Sequence, residues 1–130
     1  MIWIDSSFAI EWLLGTKKAA SVPLSHEPLS ILPLQYIETL TYFFRREVDP
    51  LRITNEMEGL ELKHPEKLHL PQASLLYLEA RKRNSKASLA DALLATVAQE
   101  RGEKIASFDH DFAALGFKLK GGFWLPQVRS

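Results

Sequence analysis

The stretch Ile2-Trp3-Ile4-Asp5-Ser6-Ser7-Phe8 decides how the rest of the chain is read. A short apolar run that stops at Asp and Ser reads as a buried β-strand feeding a capped helix. That helix runs from Phe8 to about Leu14 and stops at Gly15. The same order returns far along the chain in Lys104–Ser107. There Ile105-Ala106-Ser107 leads to Asp109 and, two residues on, to Asp111. A short helix over Phe112–Leu115 follows and ends at Gly116.

Between these ends the pattern keeps alternating. Lys17–Val22 adds a helical turn, and Leu29–Leu32 is a short strand inside a Pro-rich loop. Leu34–Glu47 reads as a helix, and Pro50 opens another that runs to about Leu62. Lys67–Leu70 reads as a strand, and Pro71 starts a helix to about Arg83. Ser88 begins the apolar helix Leu89–Arg101, which ends at Gly102. Phe117–Leu119 is a last strand, and Gly121-Gly122 with Pro126 makes the tail after about residue 120 irregular. Strands alternating with helices indicate an α/β domain with a mostly parallel central sheet. Such sheets bind ligands beyond the carboxyl ends of their strands. Asp5 and Asp109 each sit at that end of an expected strand.

Composition narrows the chemistry. A chain of 130 residues is a single domain, 1–130, able to bury a core unaided. It has no cysteine, which removes disulfides, thiolate zinc sites and thiol nucleophiles. Its formal net charge is zero, so bulk charge does not drive it onto nucleic acid. Two basic clusters remain, Arg45-Arg46 and Arg81-Lys82-Arg83 with Lys86, and both read first as solvated helix ends. No basic-then-apolar leader and no bilayer-length apolar run is visible. A cytoplasmic protein without membrane contact is therefore expected.

The acids carry the argument. Asp5 can simply cap the first helix, and Ser88-x-x-Asp91 resembles a capping box. Asp109 and Asp111 can cap and charge the short helix after them. Glu38 resists such readings, because it lies mid-helix in the apolar stretch Leu34–Phe44. Isolated carboxylates beside buried segments are costly unless paired, hydrogen-bonded or bound to a cation. Several in one chain point to a shared site for a hard divalent metal. His26, His64 and His69 lack ligand spacing, and His110 is expected to point away from its flanking aspartates. No Gly-rich phosphate loop and no nucleophilic triad is present.

Four segments together resemble the PIN-domain family, and specifically the VapC-type toxins of toxin–antitoxin pairs. They are Ile2–Phe8, Leu34–Glu38, Leu89–Ala95 and Ile105–Phe112, each with its acid in the family's order. Ser107 stands where Thr is commoner, and the Gly15–Leu29 segment is shorter and richer in Pro than in many relatives. The resemblance implies a PIN-like three-layer αβα domain with a mostly parallel sheet. It implies a pocket for Mg²⁺, with Mn²⁺ able to substitute, and hydrolysis of phosphodiester bonds in single-stranded or structured RNA. Asp5, Asp91 and Asp109 would contact metal directly or through water, with Asp111 a further ligand. Glu38 would hold or deprotonate the attacking water, and Ser7 and Ser107 would orient carboxylates. The resemblance also implies a small antitoxin protein as partner and a homodimer, with Trp12 and Leu13 a candidate docking patch. The competing expectation is a catalytically inactive module that docks a protein partner or RNA.

Overall fold

Ile2-Trp3-Ile4 forms strand β1 and is fully buried. Alternate residues of a strand face opposite sides of the sheet, and this strand feeds two cores. Ile2 and Ile4 pack into one, Trp3 into the other. The computed structural model describes residues 1–127. After β1 come α1 (Ser6–Leu14), α2 (Lys17–Ala20), β2 (Leu29–Ile31), α3 (Pro33–Arg45) and α4 (Pro50–Glu56). A 3₁₀ turn over Met57–Gly59 leads to β3 (Glu61–Leu62). Then follow α5 (His69–Lys82), α6 (Leu89–Arg101), β4 (Lys104–Ala106), a 3₁₀ segment (His110–Leu115), β5 (Phe117–Lys120) and β6 (Phe123–Pro126).

The sheet order is β3-β2-β1-β4-β6-β5. The β3, β2, β1 and β4 strands pair in parallel, while β6 lies antiparallel to both β4 and β5. One face carries α1, α3 and α4, whose Phe8, Phe43 and Ile53 pack with Ile2 and Ile4. The other carries α5 and α6, packed with Trp3, Ile105 and Trp124. The fold is therefore the three-layer αβα arrangement with a mostly parallel sheet. In α6 every residue from Ala92 to Ala98 is buried, and Ala73 and Ala80 of α5 are small enough to let the two helices approach closely.

The chain steps outward from β1 to β2 to β3, then returns to lay β4 on the other side of β1. Such a reversal leaves a crevice beyond the carboxyl ends of the two strands it separates. Those ends are Asp5 and Ser107.

Several elements differ from the sequence reading. Lys67–Leu70 is no strand: α5 already begins at His69, with Pro71 in its first turn, where a missing N–H costs nothing. His69 is buried there, its Nδ1 accepting from the Glu66 amide at 2.8 Å and its Nε2 lying 2.7 Å from Glu100. The helix opened by Pro50 ends at Glu56 rather than near Leu62, and the chain then enters β3. That strand lies at the sheet edge with both residues exposed, so it lacks an apolar signature. The tail is not irregular over 121–126. Gly121 and Gly122 take φ of 62° and 88°, which suits a tight hairpin turn, and β6 enters the sheet beside β4. The remainder of that expected tail, 128–130, lies outside the described residues.

Candidate active site

At the carboxyl end of β1, Asp5 caps α1 and is 3% exposed. Its Oδ1 accepts from the Ser7 hydroxyl at 2.8 Å and from the Phe8 amide at 3.0 Å. Its Oδ2 accepts from the Ser107 hydroxyl at the end of β4. Each serine has one hydroxyl proton, and both are given to Asp5. The two hydroxyl oxygens then accept from the loop itself: Ser7 from the Phe108 amide at 3.0 Å, Ser107 from the Asp109 amide at 2.9 Å. One network thus ties the ends of β1 and β4 together. Burial still wins over these donors and pushes the Asp5 pKa up to about 6, with the Asp91 charge adding to the shift.

Asp91 sits in the first turn of α6 and closes a full capping box. The Ser88 amide donates to its Oδ2 at 3.0 Å, and its own amide donates to Ser88 Oγ at 3.0 Å. The cap occupies Oδ2 alone. Asp109 caps the 3₁₀ segment by accepting from the Asp111 amide at 2.9 Å. Capping and site roles therefore coincide in the same residues, because the N–H groups of a helix start orient a carboxylate as well as satisfying themselves.

Asp91, Asp109 and Asp111 each offer a carboxylate oxygen, and these oxygens lie within 4.8 Å of one another. Asp5 and Glu38 stand outside that triad. Burial and then the Asp109 charge raise the Asp111 pKa, while Lys86 and Arg81 pull it down. Arg81 on α5 and Lys86 beyond it are exposed, yet near enough for their charge to act on Asp111. Asp91 is raised by burial first and by Asp109 and Asp111 after it.

Glu38 lies with Leu34 and Ile37 on the exposed side of α3, while Gln35, Thr39 and Phe43 form the helix's buried side. It still belongs to the same electrostatic unit. Partial burial and the Asp91 charge raise its pKa, and a hydrogen bond from Ser6 opposes them. What aims α3 at the site is a residue the sequence reading passed over. Gln35 is buried, and its Nε2 donates to the Ala90 carbonyl at 2.8 Å, one residue before Asp91. Trp124 was equally silent: its Nε1 donates to the Ser107 carbonyl at 3.3 Å and props the loop from β6. A Gln beside apolar residues one turn before the Glu was the available signal for the first, and none existed for the second. His110 packs edge to face on Trp124, ring centroids 5.8 Å apart, and takes no part in the triad.

The donor set consists of carboxylate oxygens alone, which suits a hard, oxygen-seeking divalent cation. The Asp109 charge raises the pKa of both Asp91 and Asp111, a repulsion that a bound divalent cation would relieve. The residues therefore fit such a metal.

The PIN-domain family profile matches residues 2–118. The chain belongs to the PIN-domain family. Solved structures resemble this PIN domain over most of its length. VapC20 of Mycobacterium tuberculosis, a sarcin-ricin loop cleaving toxin, has a TM-score of 0.72 at 22% identity, covering 91% of this chain and 97% of that one. A toxin–antitoxin complex from Klebsiella pneumoniae has a TM-score of 0.69 at 16% identity, covering 87% and 91%. FitAcB from Neisseria gonorrhoeae has a TM-score of 0.70 at 13% identity, covering 88% and 93%. At such identities the likeness is one of fold. No curated protein matches the chain in sequence.

Proposed function

We propose that this PIN domain is a divalent-cation-dependent endoribonuclease, the toxin of a toxin–antitoxin pair. The observation that carries the reading is the carboxylate triad Asp91, Asp109 and Asp111, which stands beside the β1–β4 crevice with the raised acids Asp5 and Glu38. The fold neighbours with toxin and toxin–antitoxin names support the biological side.

In this reading Asp5, Asp91 and Asp109 hold Mg²⁺ or Mn²⁺ directly or through water, and Asp111 completes the set. When bound, the cation supplies Lewis acidity at the phosphate and lowers the pKa of a water. Glu38 is solvent-accessible and raised above its ordinary value, which fits a base that takes the proton of the attacking water. The water oxygen bonds to phosphorus, a phosphoester P–O bond breaks, and the leaving oxygen takes a proton from solvent. Ser7 and Ser107 keep the Asp5 carboxylate in one orientation. Arg81 and Lys86 neutralise part of the approaching phosphate charge.

The partners follow from exposed apolar residues. Leu75 and Leu78 on α5 and Leu34 and Ile37 on α3 are exposed, and such patches mark interfaces with a second copy and with an antitoxin. Trp12 and Leu13 are half-buried against the core beneath α1, so they offer only an edge to a partner. No helix among the described residues is long and apolar enough to cross a membrane.

The test is cleavage of single-stranded and hairpin RNA with Mn²⁺ or Mg²⁺, with and without chelator. Wild type should cleave only with metal, and Asp5→Asn and Asp91→Asn should lose roughly a hundredfold or more in rate while staying folded. Wild-type rates in both variants would remove the metal site from these residues. An inert wild type with every divalent ion would leave the inactive binding module.

A further inference from the structure

Beside the acidic site, a cavity of about 260 Å³ opens between α2, the 107–110 loop and the β5–β6 hairpin. Lys18, Ser21, Ser107, Phe108, His110 and Trp124 line it. Because β6 runs antiparallel to β4, the hairpin turn lies at the carboxyl end of β4, the end that also carries the acids. Gly122 packs the turn against the segment that follows α2: a Cβ there would sit 3.1 Å from Pro23.

The geometry points to this cavity as the seat of the nucleotide next to the scissile phosphate, with Lys18 on a phosphate and the rings of Phe108 and His110 on the base. The inference rests on the nuclease reading above. Ser107 belongs both to the cavity wall and to the network around Asp5, and Asp109 follows one residue after Phe108. A nucleotide in the cavity therefore continues directly into the carboxylates. Phe108 is backed by Phe8, with centroids 5.6 Å apart, and its ring carries Lys18 Nζ at 4.6 Å from the centroid. Lys18 and His110 are exposed, while Trp124 beneath them is buried and fixed by its bond to Ser107. Phe108 is half-buried, and a cation at a solvent-facing ring is weakly held. A phosphate draws it off, and the uncovered ring accepts a base. Stacking on aromatic faces beside a cation is how single-stranded RNA is gripped without bulk positive charge.

The probe is a fluorescein-labelled single-stranded 12-mer RNA of mixed sequence, followed by anisotropy in EDTA so that nothing is cleaved. Lys18→Ala and His110→Ala should each weaken binding about threefold to tenfold. The slope of log affinity against log salt should lose about 0.7 in Lys18→Ala, as for one lost phosphate contact on a single strand. Arg52→Ala on α4, where Arg52 pairs with Glu56, lines neither the cavity nor the triad and should match wild type. With 5-iodouridine in the same RNA, light-induced adducts should map to Phe108, His110 or Trp124. Unchanged affinity and slope in both variants, or adducts mapped only elsewhere, overturn the assignment even if wild type is an active nuclease. RNA that binds through Lys18 and His110 to a protein that never cleaves it supports the subsite and removes the nuclease reading instead.

Discussion

On Asp5 three donors converge, from Ser7, Ser107 and the Phe8 amide, yet its pKa stands near 6 against an ordinary 3.8. Between those values the folded protein keeps the proton and the unfolded chain has released it. The stability contributed by Asp5 is therefore complete below about pH 3.8 and is lost as pH rises through about 6. A shift of that size corresponds to about 3 kcal/mol. Asp91 and Glu38, also raised, act in the same direction. Urea denaturation in chelator should show wild type losing stability from pH 4 to pH 7, and Asp5→Asn should flatten much of that decline. Parallel curves for the two proteins would mean that the Asp5 proton is not linked to folding. The serine network gives a second test. Ser107→Ala leaves Asp5 short of a donor and the Asp109 amide short of an acceptor, at a cost of about 1–3 kcal/mol. Ser107→Thr keeps the hydroxyl and should stay close to wild type in a denaturant titration.

At the scale of the element, the start of α6 does two jobs through one turn of backbone. The reciprocal bonds between Ser88 and Asp91 satisfy two helix-start amides and set where the Asp91 carboxylate lies. Ser88→Ala should lower stability by about 1 kcal/mol, read as a shift in urea midpoint at constant slope. No shift would mean that the burial of Ala92–Ala98 alone fixes the helix start. This box was visible as Ser-x-x-Asp, and strands β1 and β4 were visible because buried parallel strands are continuous apolar runs. The β3 strand was hidden because an edge strand with exposed Glu61 and Leu62 needs no apolar pattern. The β6 strand was hidden behind Gly121-Gly122, which read as a break although it is a turn with positive φ at both residues. His69 was taken with a strand because the contact that accompanies its burial, Nε2 against Glu100, is tertiary, while its bond from the Glu66 amide is a local helix-start contact without an apolar pattern. The acids and the expectation of a shared site were legible. That three of them meet, while Asp5 and Glu38 couple to Asp91 through charge, depended on the strand reversal and on Gln35 bonding Ala90.

Across the whole molecule, the crevice gathers Asp5, Glu38, Asp91, Asp109 and Asp111 from four segments of a chain whose formal net charge is zero. Folding therefore does work against local repulsion that the unfolded chain does not feel. A cation that binds only the gathered acids relieves that work and adds stability in proportion to the logarithm of its concentration. At a hundredfold excess over the dissociation constant the gain is about 2.7 kcal/mol. At neutral pH, Mn²⁺ or Mg²⁺ should accordingly raise the melting temperature of wild type, and Ca²⁺ should do so if size is loosely specified. Asp91→Asn removes one of the three converging charges, keeps a side chain able to accept from Ser88, and should melt above wild type in chelator. With metal it should gain less than wild type, so the two melting curves approach or cross as metal is added. Asp5→Asn should show the same crossing without touching the α6 cap. If all three proteins melt together at every metal concentration, the carboxylates are separate caps that share no ion, and the nuclease reading fails with the site.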